Sequence, residues 1–321
     1  MKKYIIVMVF VLLLAGCGAE RYTPVVSQET ILITTNIKDG SLSFIEAKRG
    51  KLLATWHINK AVTGSVLLPD NDTLIVYGKR LNSMYVYSLK EGKRIGKWDT
   101  GEGIVNAMLT ADKQHVILAD QQSNQVRLYT VKGKETAAIS VGKGPLTIVQ
   151  GEGLVYTINF YDAVLSVVDI GQKREVRRFS IPPSSLGAAL YNGQIWLGGH
   201  GSGESINSAV HVYDVKEGAL TRSVDAPQMP ISFAAHGDYI YVLSHGSSTL
   251  RKMNARTYQE EASVEAGANP FAVFYTAGRV FVASYDSDEV YQIDADTMKV
   301  QNVISVGKGP FHFTERKGER K

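Results

Sequence analysis

A unit of about 40 residues recurs along the chain and constrains the fold more than any other feature. Each unit contains two apolar, β-branched and aromatic runs joined by a short polar loop, a pattern typical of a β-hairpin. A turn and a third alternating run follow each hairpin. These third runs end at intervals of 42, 41, 40, 45, 40 and 40 residues, near Asn59, Gly101, Gly142, Pro182, Pro227, Gly267 and Gly307. The motif SVGKGP occurs at 140–145 and again at 305–310, four units later.

A further strand, rich in small residues, precedes six of the seven hairpins. The first hairpin, from Ile31, lacks this strand, whereas GPFHFTE at 309–315 is such a strand without a following hairpin. The sequence therefore predicts an all-β fold, a seven-bladed β-propeller over residues 30–315 with four antiparallel strands per blade. We expect the C-terminal strand to join the N-terminal blade, because this pairing closes the ring and leaves no free edge there.

The N-terminus has the pattern of a secretory leader. Lys2 and Lys3 precede an apolar run from Tyr4 to Ala15, which is shorter than the roughly 20 residues of a membrane-spanning helix. The following Leu-Ala-Gly-Cys, ending at Cys17, resembles the lipobox of bacterial lipoproteins. This resemblance implies a signal peptide at 1–16, acylation of Cys17, a tether at 17–29 and a polar tail at 316–321. The protein is then anchored in the cell membrane and faces outside the cytoplasm; the sequence leaves open whether the host has one membrane or two.

Charge and cysteine content exclude several classes of function. Removal of the leader lowers the net charge from +4 to +2, with 33 basic and 31 acidic residues, so we expect no nucleic-acid partner. A single cysteine excludes an intramolecular disulfide, so burial alone must stabilise a monomeric propeller. The chain lacks a nucleophile elbow, a phosphate-binding glycine loop and a haem-attachment motif, and no cofactor is predicted.

Residues 139–181 resemble the YVTN family of β-propeller repeats. The resemblance lies in Val141-Gly142, Pro145, Val155–Asn159 and Val167–Asp169. The other units match more loosely, and Asn159 aligns with Thr35, Gly78, Asp120, Gly199, Ser244 and Ser284. The resemblance implies the propeller architecture but no activity, because propellers include lactonases, quinone- or haem-linked dehydrogenases and binding proteins.

Propeller topology predicts that the hairpin loops and the GKGP connections share one face, around the mouth of the central channel, where ligand sites are common. His200 and His245 occupy equivalent positions in adjacent hairpins. Such a pair could bind copper, zinc or iron, with Glu204, Asp286 or His211 as a third ligand, although solvated loop histidines are the simpler interpretation. Metal binding is therefore left open. The candidate rim residues are His200, Glu204, His245, Tyr285, Asp286, Asn159, Lys143 and Lys308.

Three functions are compatible with this pattern. The favoured prediction is a membrane-anchored binding or scaffold module whose loop face recognises a protein or a cell-envelope polymer. The alternative is a propeller enzyme of lactonase or dehydrogenase type with its site at the channel mouth. A third is a structural subunit of a larger envelope complex without a small-molecule site.

Overall fold

The computed structural model describes residues 20–203 and 205–318, and every regular element in these ranges is a β-strand. The described residues contain no helix long and apolar enough to cross a membrane. The first half of the chain forms β1 (Ile31–Asn36), β2 (Ser41–Glu46), β3 (Lys51–His57), β4 (Gly64–Leu67), β5 (Thr73–Tyr77), β6 (Ser83–Ser88), β7 (Lys93–Asp99), β8 (Ile104–Leu109), β9 (His115–Asp120), β10 (Gln125–Thr130), β11 (Glu135–Ser140), β12 (Pro145–Gly151), β13 (Leu154–Asn159) and β14 (Val164–Asp169). The second half forms β15 (Arg174–Ser180), β16 (Ser185–Tyr191), β17 (Gln194–Gly199), β18 (Ala209–Asp214), β19 (Ala219–Asp225), β20 (Pro230–His236), β21 (Tyr239–Ser244), β22 (Thr249–Asn254), β23 (Glu260–Glu265), β24 (Pro270–Thr276), β25 (Arg279–Ser284), β26 (Glu289–Asp294), β27 (Val300–Ser305) and β28 (Pro310–Arg316).

The strands form seven antiparallel four-stranded sheets, which are the blades of a β-propeller. Blades 1 to 6 each take four consecutive strands, beginning at β4, β8, β12, β16, β20 and β24. Blade 7 has the order β28-β1-β2-β3, with Ile31 opposite Arg316 and Ile33 opposite Thr314. The predicted closure of the ring by the C-terminal strand is therefore confirmed. The inner strands β4, β8, β12, β16, β20, β24 and β28 contact one another in sequence around the central channel.

Burial falls from the inside of each blade to the outside. The second strand is buried along nearly its whole length, for example β1 and β13, because both of its faces pack against neighbouring blades. The fourth strand is largely exposed and has one free edge, for example β7 and β19. The apolar core consequently lies between the blades, in clusters that each combine side chains from two adjacent sheets.

The backbone geometry explains the residue types in the first SVGKGP motif. A Cβ atom on Gly142 would lie 2.8 Å from the amide of Asn159, so only glycine fits against this side chain. The N–H of Lys143 donates a hydrogen bond of 2.6 Å to the Asp162 carboxylate. Gly144 has φ +68°, which glycine adopts without strain. The motif therefore forms a tight connection between blades that packs on the next hairpin.

The second copy repeats these contacts four blades later. A Cβ atom on Gly307 would lie 2.4 Å from the Asn36 amide nitrogen, and the N–H of Lys308 donates to Asp39 at 2.9 Å. Gly309 has φ +66°. The motif recurs because both connections lead into a blade whose hairpin has an asparagine at its strand end and an aspartate three residues later.

The strand register corrects one aligned position in the sequence comparison. Asn36 lies opposite Pro310 in blade 7, as Asn159 lies opposite Pro145 in blade 3. Asn36, and not Thr35, is therefore the equivalent of Asn159. The alignment placed the first hairpin one residue early because successive threonines precede Asn36 and obscure the end of the strand.

Candidate functional site

The hairpin loops meet on one face, as the topology predicted. Lys79 donates a 2.6 Å hydrogen bond to Gln121 in the next loop, and Lys38 donates a 2.9 Å hydrogen bond to the carbonyl of Tyr285. The central channel opens on this face and forms a cavity of about 250 Å³ that is lined by all seven inner strands or the connections just before them.

A ring of mainly apolar side chains lines this cavity. Six of the seven inner strands in the described chain carry a β-bulge at their second residue, where the register shifts by one. A bulge redirects the side chain of the extra residue, here into the channel. Thr63 stands at the corresponding place in blade 1. We name these seven residues the mouth ring; they are Thr63, Val105, Leu146, Leu186, Ile231, Phe271 and Phe311.

A second layer of smaller or more polar side chains follows one residue deeper in the inner strands. Thr147 donates its hydroxyl hydrogen bond to the carbonyl of Leu186, and Ser232 accepts a 3.1 Å bond from the N–H of Val273. These polar groups therefore join neighbouring blades. The members of the layer that line the cavity are Asn106, Thr147, Gly187, Ser232, Ala272 and His312.

His312 is the titratable group of this second layer. Its Nε2 atom lies 3.5 Å from the Tyr77 hydroxyl, and Nδ1 has no hydrogen-bond partner among the described residues. Burial lowers the pKa of His312 to about 4. The imidazole is consequently neutral at pH 7, with one nitrogen available as an acceptor or a donor according to tautomer.

Aromatic rings extend the mouth ring outward to the rim of blades 5, 6 and 7. The ring of Phe271 lies 5.3 Å from Phe311, 5.2 Å from Tyr285 and 4.6 Å from His245, measured between centroids. The amino group of Lys38 lies 4.0 Å from the centre of the Tyr285 ring. The result is a continuous aromatic surface from the rim into the channel.

The two predicted histidines lie together on this surface. The rings of His200 and His245 are 5.7 Å apart, and His245 Nδ1 lies 3.3 Å from the Pro270 carbonyl oxygen. Burial, and to a lesser degree the charge of His245, lowers the pKa of His200. Adjacency, which the sequence predicted, is confirmed.

The described residues do not add a third ligand to this pair. They contain no group of three or more His, Cys, Asp or Glu side chains that could hold a metal ion. Asp286 forms a 3.0 Å ion pair with Lys38 and accepts a 2.9 Å bond from Asn269. These two bonds, Lys38 first, lower the pKa of the exposed Asp286 carboxyl. Glu204 and Cys17 lie outside the described residues.

The remaining rim candidates occupy different environments. Asn159 is fully buried, and its amide donates to Ser166 at 2.8 Å and to the Val164 carbonyl at 3.2 Å. It therefore supports its own hairpin and is not exposed on the rim. The side chains of Lys143 and Lys308 are exposed, while their backbone N–H groups bind the hairpin aspartates.

Sequence reasoning did not identify the mouth ring. The available signal was a large apolar residue directly after the first residue of the inner strand, as in GPL, NPF and GPF at 144–146, 269–271 and 309–311. These residues look like ordinary strand interior, because only the bulge turns them toward the channel.

Comparison with known proteins supports the fold. No protein-family model and no curated protein sequence matches the chain. Among solved structures, the hydrazine synthase of Kuenenia stuttgartiensis superimposes with a TM-score of 0.70 at 16% identity, covering 83% of this chain and 95% of that one. Apo AztD from Citrobacter koseri gives 0.64 at 12% identity, covering 91% and 99%. The dihydro-heme d1 dehydrogenase NirN, in complex with DHE, gives 0.65 at 11% identity, covering 90% and 76%. Similarity at this level shows a shared β-propeller fold and nothing about activity.

Proposed function

We propose that the protein is a lipid-anchored, extracytoplasmic β-propeller that acts as a binding or scaffold module for a protein or a cell-envelope polymer. The observation that supports this function best is the mouth ring, which continues into the aromatic surface around Phe271. The free energy falls when a ligand covers the apolar side chains around an open cavity, because their surface is removed from water. Clefts lined by apolar groups with a few polar groups are the usual form of a binding site.

The chemistry of the mouth suggests what it binds. Phe271 and Phe311 offer ring faces, and the polar layer below offers hydroxyl groups and the neutral imidazole of His312. This combination suits an apolar or aromatic group that also carries a hydrogen-bonding function, such as a side chain of a partner protein or the face of an envelope sugar. In this proposal, acylation of Cys17 anchors the module to a membrane, with the propeller outside the cytoplasm.

Site-specific photo-crosslinking in intact cells tests the proposal. A photoreactive phenylalanine analogue replaces Phe271 in the lipidated full chain, and a matched variant carries it at the exposed Val303 on outer strand β27. We expect a discrete adduct from position 271 and none from position 303. A Phe311→Ala change in the same background should reduce this adduct at least about fivefold, because it removes half of the aromatic mouth. Adducts of equal yield at both positions contradict the proposal.

The enzyme alternative draws on the His200–His245 pair and on the name of one structural neighbour, a dehydrogenase. Elemental analysis and native mass spectrometry of the mature chain, purified without chelators, separate it from the binding function. A stoichiometric metal that is lost in the His200→Ala, His245→Ala double variant would favour the enzyme. The absence of bound metal from both the wild-type chain and the double variant favours the binding module.

A further inference from the structure

The chain between the proposed lipid anchor and the first blade is bound to the propeller. The N–H of Tyr22 donates a 2.6 Å hydrogen bond to the Gly92 carbonyl, and the N–H of Val25 donates a 2.8 Å bond to the Leu89 carbonyl. Arg21 forms an antiparallel bridge with Lys93 at the start of β7. Residues 20–28, which the sequence analysis assigned to a tether, therefore run in the groove between blades 7 and 1. We name them the docked segment.

Side chains secure the docked segment. The Tyr22 ring stacks on Trp56 of β3 at 5.0 Å, and Trp56 Nε1 donates a 2.9 Å hydrogen bond to the Thr23 carbonyl. Val25 is buried among the same apolar side chains. A Cβ atom on Gly92 would lie 2.2 Å from the Tyr22 carbonyl oxygen. Only glycine at this position in the turn between β6 and β7 therefore lets the segment approach so closely.

The first described residue is held by charge. The Glu20 carboxylate lies 3.2 Å from the Lys60 amino group and 3.6 Å from the Arg94 guanidinium, and it accepts bonds from the hydroxyls of Tyr22 and Tyr87. Burial opposes ionisation here, but the hydrogen bond and charge of Lys60, the charge of Arg94 and the hydrogen bond from Tyr87 together outweigh it, so the pKa of Glu20 is lowered. Ion pairing therefore fixes the chain at the outer side of the propeller.

This attachment limits how far the propeller can move from a membrane. Two residues, Gly18 and Ala19, separate Cys17 from Glu20. An extended chain spans at most about 3.6 Å per residue, so the acylated cysteine lies within about 11 Å of Glu20. The side of the propeller near this groove is consequently the part that faces the bilayer.

The outer strands beside the groove carry side chains suited to a bilayer surface. Leu52 and Leu53 on β3 and Ile95 on β7 are exposed by 37%, 38% and 47%. Exposed basic residues surround them. Among these, Lys97, Arg94 and Arg49 form ion pairs with Asp99, Glu20 and Glu46. The exposed Glu91 is paired with Lys93, whereas Arg21, Lys48, Lys51 and Lys90 form no salt bridge within the described residues. We name this surface the anchor edge; its exposed basic residues are Arg21, Lys48, Arg49, Lys51, Lys90, Arg94 and Lys97.

We infer that the anchor edge lies on the surface of a bilayer that contains anionic phospholipids. Apolar side chains enter the boundary between headgroups and acyl chains, and the lysines and arginines contact lipid phosphates. The propeller then stands on its side, with the channel axis along the membrane plane and the channel mouth open for a partner. This inference rests on the proposed acylation of Cys17, since the short link supplies the proximity.

The remainder of the outer surface offers a matched comparison. Leu220 on β19, in blade 4, is exposed by 51% and lies across the ring from the docked segment. Strand β15 of blade 3 carries Arg174 and Arg178, which are also exposed. These residues reproduce the apolar and basic character of the anchor edge without the nearby anchor.

Fluorescence quenching in vesicles tests the inference. The full lipidated chain is reconstituted in vesicles of phosphatidylcholine and phosphatidylglycerol, carrying a fluorophore at Leu53→Cys, Ile95→Cys or Leu220→Cys. Acylation occupies the sulfur of Cys17, the sole native cysteine, so each introduced thiol is labelled uniquely. A quencher attached to lipid headgroups should reduce emission at positions 53 and 95 at least about threefold more than at position 220.

Charge reversal adds a second readout. Lys48→Glu, Lys51→Glu and Lys97→Glu together should at least halve the quenching at position 95, while Arg174→Glu with Arg178→Glu should leave it unchanged. Equal quenching at the three labelled positions overturns the inference. Quenching at positions 53 and 95 that decreases as the protein density in the vesicles rises, also in phosphatidylcholine alone, overturns it as well. A second protein then covers the edge in place of the bilayer.

Failure of the anchor is distinguishable from failure of the edge. The intact mass of the purified chain shows whether Cys17 carries acyl groups. A chain without them overturns both the proposed anchoring and this inference. An acylated chain with equal quenching overturns only the orientation.

Discussion

At the scale of single residues, His312 shows how position in the channel sets chemistry. Its imidazole lies in the second layer, beside Tyr77, where burial lowers its pKa to about 4 from an ordinary value of 6.5. Between these two values the unfolded chain binds a proton that the folded protein does not. Stability therefore rises with pH across this interval and falls as the pH is lowered through it.

The His312→Gln variant tests this pH dependence. Between pH 6.5 and pH 4, His312 should lower the wild-type free energy of unfolding by up to about 3 kcal/mol. In the variant this contribution is absent, so its free energy of unfolding should decrease less over the same interval. Urea unfolding at several pH values measures it. His57→Gln, on an exposed outer strand, is the control and should retain the wild-type pH profile. Identical profiles for wild type and His312→Gln would refute the assignment.

At the scale of elements, the docked segment behaves as part of blades 7 and 1. Its two backbone bonds and the stack of Tyr22 on Trp56 bind it without a complete strand. Stacked aromatic pairs contribute about 0.5–1.5 kcal/mol beyond the burial of their area. Loss of the Tyr22 ring should therefore release the segment while the blades stay folded.

Limited trypsin digestion measures this release, because Arg21 provides a cleavage site within the segment. Tyr22→Ala should increase the rate of cleavage after Arg21 about tenfold or more, since cleavage requires local detachment. Val26→Ala changes an exposed side chain of the same segment and should leave the rate unchanged. An unchanged rate in Tyr22→Ala would show that the ring does not hold the segment.

At the scale of the whole molecule, strand β28 closes the ring. It pairs with β1, buries Phe313 and Arg316, and extends the Arg316 guanidinium to the Ser27 carbonyl at 2.7 Å and the Asn71 carbonyl at 3.0 Å. The C-terminal strand thus joins blade 7, the docked segment and blade 1. Its removal leaves β1 with an open edge and exposes the core on both sides.

Truncation tests this closure. A chain that ends at Lys308 lacks β28, and its thermal midpoint should fall by more than about 10 °C or the cooperative transition should disappear. A chain that ends at Gly318 keeps the strand and should unfold like the wild type. Circular dichroism during heating measures both. A normal transition without β28 would mean that six blades and a partial seventh are sufficient.

The sequence identified much of the fold and part of the site. The 40-residue period, the seven hairpins and the unpaired final strand are local patterns, so they predicted blade number and closure correctly. The adjacency of His200 and His245 followed from equivalent positions in neighbouring repeats. The burial of Asn159 was not anticipated, because a residue at the end of a strand looks the same in sequence whether it faces the rim or the blade.

By itself the sequence determined the strand order, the number of blades and the way the ring closes, because alternation and period are properties of adjacent residues. Only the tertiary structure decided that bulges turn Phe271 and Phe311 into the channel mouth, and that Tyr22 stacks on Trp56 to bind the docked segment. The physical reason is that these contacts join residues distant in the chain. They depend on the stacking angle of neighbouring blades and on one-residue shifts of register, which no local pattern encodes.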